Sequence, residues 1–261
     1  AGDLRALWSW THPRFRVEDV AYANPEWARE DHLLRAEAIE ASISVLPLFY
    51  GRIVVPQVHL VRPEIGLEQR PDGRKTWLLD PDQKDRGGSR FYIRGLTLDQ
   101  GRVKYDEPAR KISIAAGLTS TAEGMTFSAE GKYKGLPLKA EGSGGQVLAL
   151  RDADTPYPLK GEARIGSTDI KADGTFTNIA ELAAFDLAID LKGRSMEQLY
   201  EVFGIAFPDT SAYTTRGRLV KGEGIVRYED FAGKVGKSDL AGTFQVDTGG
   251  KRPFMKAERE G

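Results

Sequence analysis

The segment Gly233-Lys-Val-Gly-Lys-Ser238 contains the residue types that hold a nucleotide phosphate, a lysine for the phosphate oxygens and a serine for magnesium. A phosphate-binding loop also needs a glycine where this chain has Phe231. It must lead into a helix whose N-terminal amides bind the anion, whereas residues 239–246 alternate apolar and polar side chains like a strand. The sequence therefore argues against nucleotide binding here.

Metal sites and catalytic nucleophiles have equally little support in the sequence. The histidines, His12, His32 and His59, have no second nitrogen or sulfur ligand at the short spacings that build metal sites. Ser143 has a glycine on each side, but Glu141 stands where a nucleophile elbow needs its first glycine. We therefore predict no metal site and no serine hydrolase.

Two acidic pairs have the residue types of a glycosidase, provided that folding brings two carboxyl groups to a defined separation in a cleft. Charged side chains in turns are mostly solvated, which is the reading we favour. The pairs are Asp152 with Asp154 and Glu229 with Asp230. No catalytic residue, and therefore no enzyme, is predicted.

Composition excludes further classes of protein. The 261 residues have a formal net charge of -1, which favours neither nucleic acid nor an anionic surface. The chain has no cysteine, so disulfide scaffolds and cysteine-ligated metals are excluded. No cofactor and no nucleic-acid partner are predicted.

The longest charge-free apolar stretch, residues 41–51, is much shorter than the roughly 20 residues of a membrane-spanning helix. Ala1 is not an initiator methionine, so we expect flanking segments to be missing from this sequence.

From Lys111 onwards, apolar residues recur at every second position, which is the period of a pleated strand. Ile112 and Ile114, for example, alternate with Lys111 and Ser113. We predict a mainly β fold, a curled antiparallel sheet with a few short capping helices. Helices are predicted at residues 196–203, behind a Ser195 capping box, and as short turns at 146–150 and 178–181.

The N-terminal part is less regular. Residues 33–44 fit either an amphipathic helix or a strand, and Pro56 confines the strand-like residues 53–61 to an edge or a bulge. Residues 81–89 are charged and glycine-rich, as expected of a joint between subdomains. We predict an N-terminal segment, residues 1–85, and a sheet, residues 86–261, that together form one continuous unit.

A sheet with one apolar face must cover that face with a second sheet, by closing into a barrel, or by curling around an apolar ligand. Alternation does not choose among these. It predicts that Lys132, Lys139, Asp186 and Asp190 face solvent. It also predicts the large residues of the apolar face, which would line a groove: Ile112, Ile114, Leu118, Met125, Phe127, Leu136, Leu138, Ile170, Phe176, Phe185, Leu187, Ile189, Leu191, Leu240, Phe244 and Val246.

Two stretches go beyond alternation. Residues 47–77 read as a leucine-rich turn, a glycine, a strand, a P-x-I-x-L segment and a D-G-x-x-T-W segment, preceded upstream by Asn24-Pro-Glu-Trp27. This order resembles the N-terminal signature of the AsmA family, which usually has asparagine at the position of Thr76. The matching motif residues are Pro63, Leu67, Asp72, Gly73 and Trp77.

Near the C-terminus, a G-x-S-D-x-x-G core resembles the closing segment of the same family. Its residues are Gly236, Ser238, Asp239 and Gly242. The resemblance extends over nearly the whole chain, although the middle matches by pattern more than by motif. It also explains the phosphate-loop likeness structurally, because residues 236–242 would be a turn entering a strand.

The resemblance implies a protein of the Gram-negative envelope. AsmA-like proteins are anchored in the inner membrane by an N-terminal helix, with the β-rich remainder in the periplasm, and are related to TamB-like and bridge-like lipid transport proteins. It therefore implies an elongated apolar groove that takes phospholipid or another acyl-chain lipid. The expected role is phospholipid transport between the membranes or support of outer-membrane biogenesis, with outer-membrane components as further candidate partners.

Other readings stay open at this point. The same apolar residues fit the dry core of a β-sandwich. A scaffolding factor could instead contact outer-membrane proteins through a sheet edge without holding lipid. A hydrolase acting on envelope glycans through acidic residues is a third, weaker alternative.

Overall fold

The computed structural model describes residues 4–7, 13–50, 53–77, 91–152, 154–178, 183–203, 207–222, 224–247 and 254–258. These residues are mostly strand with few helices, which confirms the predicted mainly β fold. The chain divides into two compact units. Unit 1 comprises Ala1–Gly135 and Gln146–Leu148, and unit 2 comprises Leu136–Gly145 and Ala149–Gly261. The predicted joint at residues 81–89 lies outside the described residues, so the boundary at residue 85 stays a prediction.

Unit 1 contains a mixed sheet and a separate two-stranded sheet formed by β4 and β7. The strands of the unit are β1 (Leu4–Leu7), β2 (Arg14–Ala23), β3 (His32–Ser42), β4 (Ile53–Val55), β5 (Val58–Val61), β6 (Glu64–Glu68), β7 (Phe91–Ile93), β8 (Leu96–Asp99), β9 (Gly101–Glu107), β10 (Ile112–Ser120) and β11 (Met125–Tyr133). Antiparallel pairing joins β1 to β2, β2 to β3, β3 to both β5 and β6, β9 to β10 and β10 to β11.

Three pairings in unit 1 are parallel: β4 with β7, β5 with β8 and β6 with β9. The sheet of this unit is therefore mixed, within a fold that was predicted as predominantly antiparallel. Parallel neighbours need a long connection, and the strands of these pairs are separated in the chain by many more residues than a hairpin turn has. Residues 33–42 of the ambiguous stretch 33–44 belong to β3, and Pro56 lies between β4 and β5.

Unit 2 is an antiparallel meander. Within the described part of the chain, each strand from β12 to β19 pairs with the next strand in sequence. Its strands are β12 (Leu136–Gly144), β13 (Tyr157–Ile165), β14 (Thr168–Thr177), β15 (Ala184–Gly193), β16 (Tyr213–Gly222), β17 (Ile225–Val235), β18 (Ser238–Asp247) and β19 (Phe254–Glu258). The segment that resembles a phosphate-binding loop contains a turn at Gly236, whose φ is +59°, and this turn leads into β18. Register irregularities in the β16–β17 and β17–β18 ladders bend these strands.

The helices are short. They are α1 (Val45–Leu48), α2 (Leu199–Phe203) and the 3-10 turns Pro108–Arg110, Val147–Arg151 and Met196–Gln198. The helix predicted at 196–203 is thus a 3-10 turn that continues into α2, and Ser195 caps it by accepting a hydrogen bond from the Glu197 amide. Most of the turn predicted at 178–181 lies outside the described residues. Within the described ranges, no helix has both the length and the apolarity that a membrane crossing requires.

Candidate functional site: the apolar strand faces

The apolar face of unit 2 is built by strand register. Cross-strand pairing sets Leu187 of β15 beside Leu219 of β16, Leu219 beside Tyr228 of β17, and Tyr228 beside Phe244 of β18. Since neighbours in a ladder point to the same side of a sheet, these large side chains form one row across four strands. In the β14–β15 pair, the Phe176 and Phe185 rings lie 6.0 Å apart.

Every predicted lining residue of unit 2 is covered to some degree. The buried ones are Leu138, Leu187, Ile189, Leu191 and Val246. The half-buried ones are Leu136, Ile170, Phe176, Phe185, Leu240 and Phe244. These residues are thus at least half-buried, and their role in lining a ligand groove stays a prediction.

Part of this face is filled by the chain's own aromatic rings. Tyr213 is 1% exposed and packs over Gly193, where an added Cβ atom would lie 2.6 Å from a Tyr213 ring carbon. Tyr157 packs over Gly144 in the same way, and its hydroxyl donates to the Gly145 carbonyl at 2.7 Å. The glycines thus make room for large rings. These rings pack on the face at two opposite ends, Tyr213 where β15 ends and Tyr157 where β12 ends.

A segment between β15 and β16 covers another part of the face. Leu199 of α2 is buried in one cluster with Ile189, Leu191 and Tyr213. Met196 and Phe207 pack against the same cluster, and the Phe207 ring lies 5.9 Å from that of Phe244. Sequence reasoning predicted the helix as a cap for a sheet end or edge and missed that it lies on the lining residues.

The opposite face of unit 2 is a ladder of ion pairs. Arg216 binds Asp190 and Arg218 binds Asp186 through paired hydrogen bonds across β15 and β16. These hydrogen bonds to the arginines hold the pKa values of both aspartates below their usual range. Further pairs join β13 to β14: Lys160 with Asp173, Lys171 with Glu162, and Arg164 with Asp169. Lys139 of β12 is exposed, and both predicted aspartates are partly exposed.

The apolar face of unit 1 follows β6, β9, β10 and β11. Register aligns Leu67, Tyr105, Ile114 and Gly131 in one row across these strands. Of the predicted lining residues in this unit, Ile112 is buried and Ile114, Leu118, Met125 and Phe127 are half-buried. Lys132, predicted to face solvent, is exposed.

A polar group interrupts this face. The Tyr105 hydroxyl donates to Glu107 Oε2 at 2.9 Å, and Arg110 Nε lies 3.3 Å from the other oxygen of that carboxylate. The Glu107 side chain is only 5% exposed. Burial, together with the hydrogen bond to Glu107, raises the pKa of Tyr105 to about 12. Tyr105 is therefore a neutral donor at ordinary pH, which suits an otherwise apolar surface.

The N-terminal motifs meet in a corner of unit 1. The Trp27 ring lies under the guanidinium groups of Arg70 and Arg74, each 5.2 Å from the ring centroid, and Arg70 also donates to the Trp27 carbonyl. Thr76 is fully buried, and its hydroxyl accepts a hydrogen bond from the Glu68 amide at 3.0 Å. These contacts join the segment after β2 to the segment after β6.

The remaining residues of the two motifs are either packed in the fold or located in exposed turns. Pro63 is buried and Leu67 half-buried, whereas Asp72 and Gly73 form an exposed turn in which a hydrogen bond from Arg74 lowers the pKa of Asp72. Trp77 is partly exposed, 6.2 Å from the Tyr105 ring. In the C-terminal motif, Gly236, Ser238 and Asp239 are exposed at the turn, and Gly242 is buried.

The residues considered for catalysis are not brought together. Ser143 and His32 are exposed, His59 hydrogen-bonds Thr97, and His12 lies outside the described residues. Asp152 accepts hydrogen bonds from Asp154 and Thr155 of its own turn, while Glu229 pairs with Arg227. Among the described residues, no group of three potential metal ligands occurs. Asp152 and Asp154 are thus exposed turn residues, as expected, whereas Glu229 and Asp230 lie within β17 rather than in a turn.

An exposed apolar patch was also missed. Leu46, Phe49 and Tyr50 are 70%, 80% and 83% exposed, within and directly after α1. They belong to the charge-free stretch that is too short for a membrane span. The signals in the sequence were the length of this stretch and its likeness to a leucine-rich turn, and exposure cannot be read from either.

Comparison with known proteins bears on the motif corner. The AsmA family model matches residues 1–117, which include the Trp27 and Thr76 motifs. The predicted resemblance to the AsmA family is confirmed. The AsmA-like chain is also 27% identical over 304 aligned positions to AsmA family protein YhjG of Escherichia coli (strain K12), an alignment that covers 99% of this chain. The chain spans 44% of the length of that relative. No solved structure matches it.

Proposed function

We propose that this chain is a non-enzymatic envelope protein whose apolar strand faces hold the acyl chains of phospholipid, on the periplasmic side of the inner membrane. In this role it transports phospholipid between the inner and outer membranes or supports outer-membrane biogenesis. AsmA family proteins are envelope-associated, which supports the location. An N-terminal anchor outside this sequence would hold the chain at the inner membrane.

The observation that carries the proposal is the contrast between the two faces of the same strands. In β13–β16, one face bears Leu187, Ile189 and Leu191, and the other bears a ladder of ion pairs. Many lining residues are only half-buried by the chain itself, so apolar area is left for a ligand.

Energetics make acyl chains a suitable ligand. Burying hydrocarbon stabilises a complex by about 0.8 kcal/mol per methylene and needs no directional polar group. A surface that offers apolar side chains in rows therefore binds an acyl chain without selecting its position along the row.

The test is a charge placed on the apolar face. Ile114→Asp puts a carboxylate in the unit 1 row, where it would cost several kcal/mol against acyl chains unless it takes up a proton. The matched control is Ala115→Asp, the next residue of β10, which is exposed on the opposite face. Each purified chain is checked for folding by circular dichroism, and bound phospholipid is measured by mass spectrometry.

We expect Ile114→Asp to fold and to carry much less phospholipid than wild type, and Ala115→Asp to carry as much. A dry sandwich core would instead unfold in the Ile114 variant. A wild-type chain that carries no lipid after gentle extraction would contradict the proposal and favour scaffolding through sheet edges.

A further inference from the structure

We propose that the segment between β15 and β16 is a movable cover that competes with acyl chains for the apolar face of unit 2. The cover is defined as the described residues 195–203 and 207–210. The proposal rests on the lipid-binding function proposed above and adds to it a means of controlling access.

The cover occupies surface that the ligand would need. Leu199 is 4% exposed and packs in the cluster of Ile189 and Leu191, two of the predicted lining residues. Met196 and Phe207 extend the contact, the latter as far as Phe244 of β18. An acyl chain cannot lie on these lining residues while the cover is seated.

The cover is one layer thick. Tyr200, next to the buried Leu199, is 59% exposed, and Glu197 and Asp209 are exposed as well. The segment thus has a side that packs on the sheet and a side that faces solvent. Displacing it would uncover the apolar side chains that it contacts, and an acyl chain could replace those contacts with contacts of the same kind. The cover and an acyl chain therefore compete for the same apolar surface.

Polar contacts join the two ends of the cover, residues 195–196 and 209–210, to each other. Ser195 Oγ donates to Asp209 Oδ1 at 2.8 Å and accepts from the Thr210 amide at 3.0 Å. Thr210 Oγ1 accepts in turn from the Met196 amide at 3.0 Å. The β15–β16 ladder ends directly below, at the pair Gly193 and Tyr213. Because these hydrogen bonds join the two ends of the cover to each other, the rest of the cover can move while the β15–β16 ladder stays paired.

One polar contact links the helical part of the cover to the sheet. Ser167, in the turn between β13 and β14, donates its hydroxyl proton to Gln198 Oε1. This contact marks where the cover can be locked. The chain has no cysteine, so a cysteine pair introduced there would be the sole target of a thiol reagent.

The first experiment locks the cover. Ser167→Cys with Gln198→Cys is joined by a short bis-methanethiosulfonate linker, which a reductant releases. The control pair is Ser143→Cys with Lys160→Cys, exposed partners across β12 and β13 on the polar face. Uptake of NBD-labelled phosphatidylethanolamine from phosphatidylethanolamine and phosphatidylglycerol vesicles is followed by fluorescence.

We expect the locked cover to slow uptake about tenfold, reduction to restore it, and the control linker to leave it unchanged. Equal uptake by the locked and control chains would overturn the cover while leaving lipid binding intact.

The second experiment loosens the cover. Leu199→Ala removes its buried anchor and should raise uptake about tenfold, equivalent to about 1.4 kcal/mol. Met196→Ala is the milder variant should the first fail to fold, and Tyr200→Ala is the exposed control that should change nothing. Loosened variants that take up no more probe than the Tyr200 control would overturn the cover. If no form takes up the probe, the loosened variants included, the proposed function fails and the cover fails with it.

Discussion

The two units solve the same problem of a one-sided sheet by different means. In unit 2, consecutive strands pair with each other, and the cover and the rings of Tyr157 and Tyr213 pack on the apolar face. In unit 1, strands distant in sequence pair in parallel, the Trp27–Arg70 contact joins the segment after β2 to the segment after β6, and the buried Thr76 hydroxyl bonds the end of β6. Unit 2 is therefore stabilised by apolar packing between neighbouring segments, whereas unit 1 combines buried apolar residues with a few polar contacts, some of them between distant segments.

The strongest test of this contrast is Tyr213→Ala in unit 2. Removing a ring that is 1% exposed should cost about 3–5 kcal/mol of unfolding free energy, because the Gly193 side of the sheet is left with a cavity. Urea unfolding followed by far-ultraviolet circular dichroism measures the loss. Tyr200→Ala, at an exposed position, is the control. Equal stability of the two variants would show that the packed face is not what stabilises unit 2.

A smaller effect is expected from Thr76→Val in unit 1. Valine keeps the shape of threonine but leaves the Glu68 amide without its acceptor in a buried place, at a cost of about 1–3 kcal/mol. All four tryptophans lie in unit 1, so tryptophan fluorescence during urea unfolding reports on this unit. Thr126→Val, exposed on β11, should have little effect. If the two variants unfold alike, the corner contributes nothing to the stability of unit 1.

The smallest effect concerns the ion-pair face of unit 2. Arg216→Gln removes the partner that lowers the pKa of Asp190. A lowered pKa gives stability that is present at neutral pH and is lost as the pH falls from about 4 through the folded-state pKa. The variant should be slightly less stable than wild type at pH 7, and the difference should vanish in acid. Thermal unfolding of both proteins at pH 7 and in acid measures this stability difference. A difference that persists in acid would mean that Arg216 stabilises the fold by packing rather than through its ion pair.

The same contrast explains what the sequence could predict. In unit 2, alternation at Phe185, Leu187 and Ile189 predicted both the strand and its faces, because each strand pairs with its neighbour in sequence. The β6–β9 pairing, which sets Leu67 beside Tyr105, depends on the path of a long connection and leaves no local signal. The position of Leu199 on the lining residues could not be predicted either. The apolar pattern of a helix shows which side of the helix is apolar but not which surface that side packs on.

The most direct measurement of the central claim places a photoreactive probe on each side of one strand. The photocrosslinking amino acid p-benzoylphenylalanine replaces Phe127, half-buried on β11, or Thr126, exposed beside it. The chain is irradiated in cells, purified and examined by mass spectrometry for phospholipid adducts. The account predicts adducts at position 127 and none at 126. Adducts at both positions, or at neither, would contradict an apolar strand face that holds lipid.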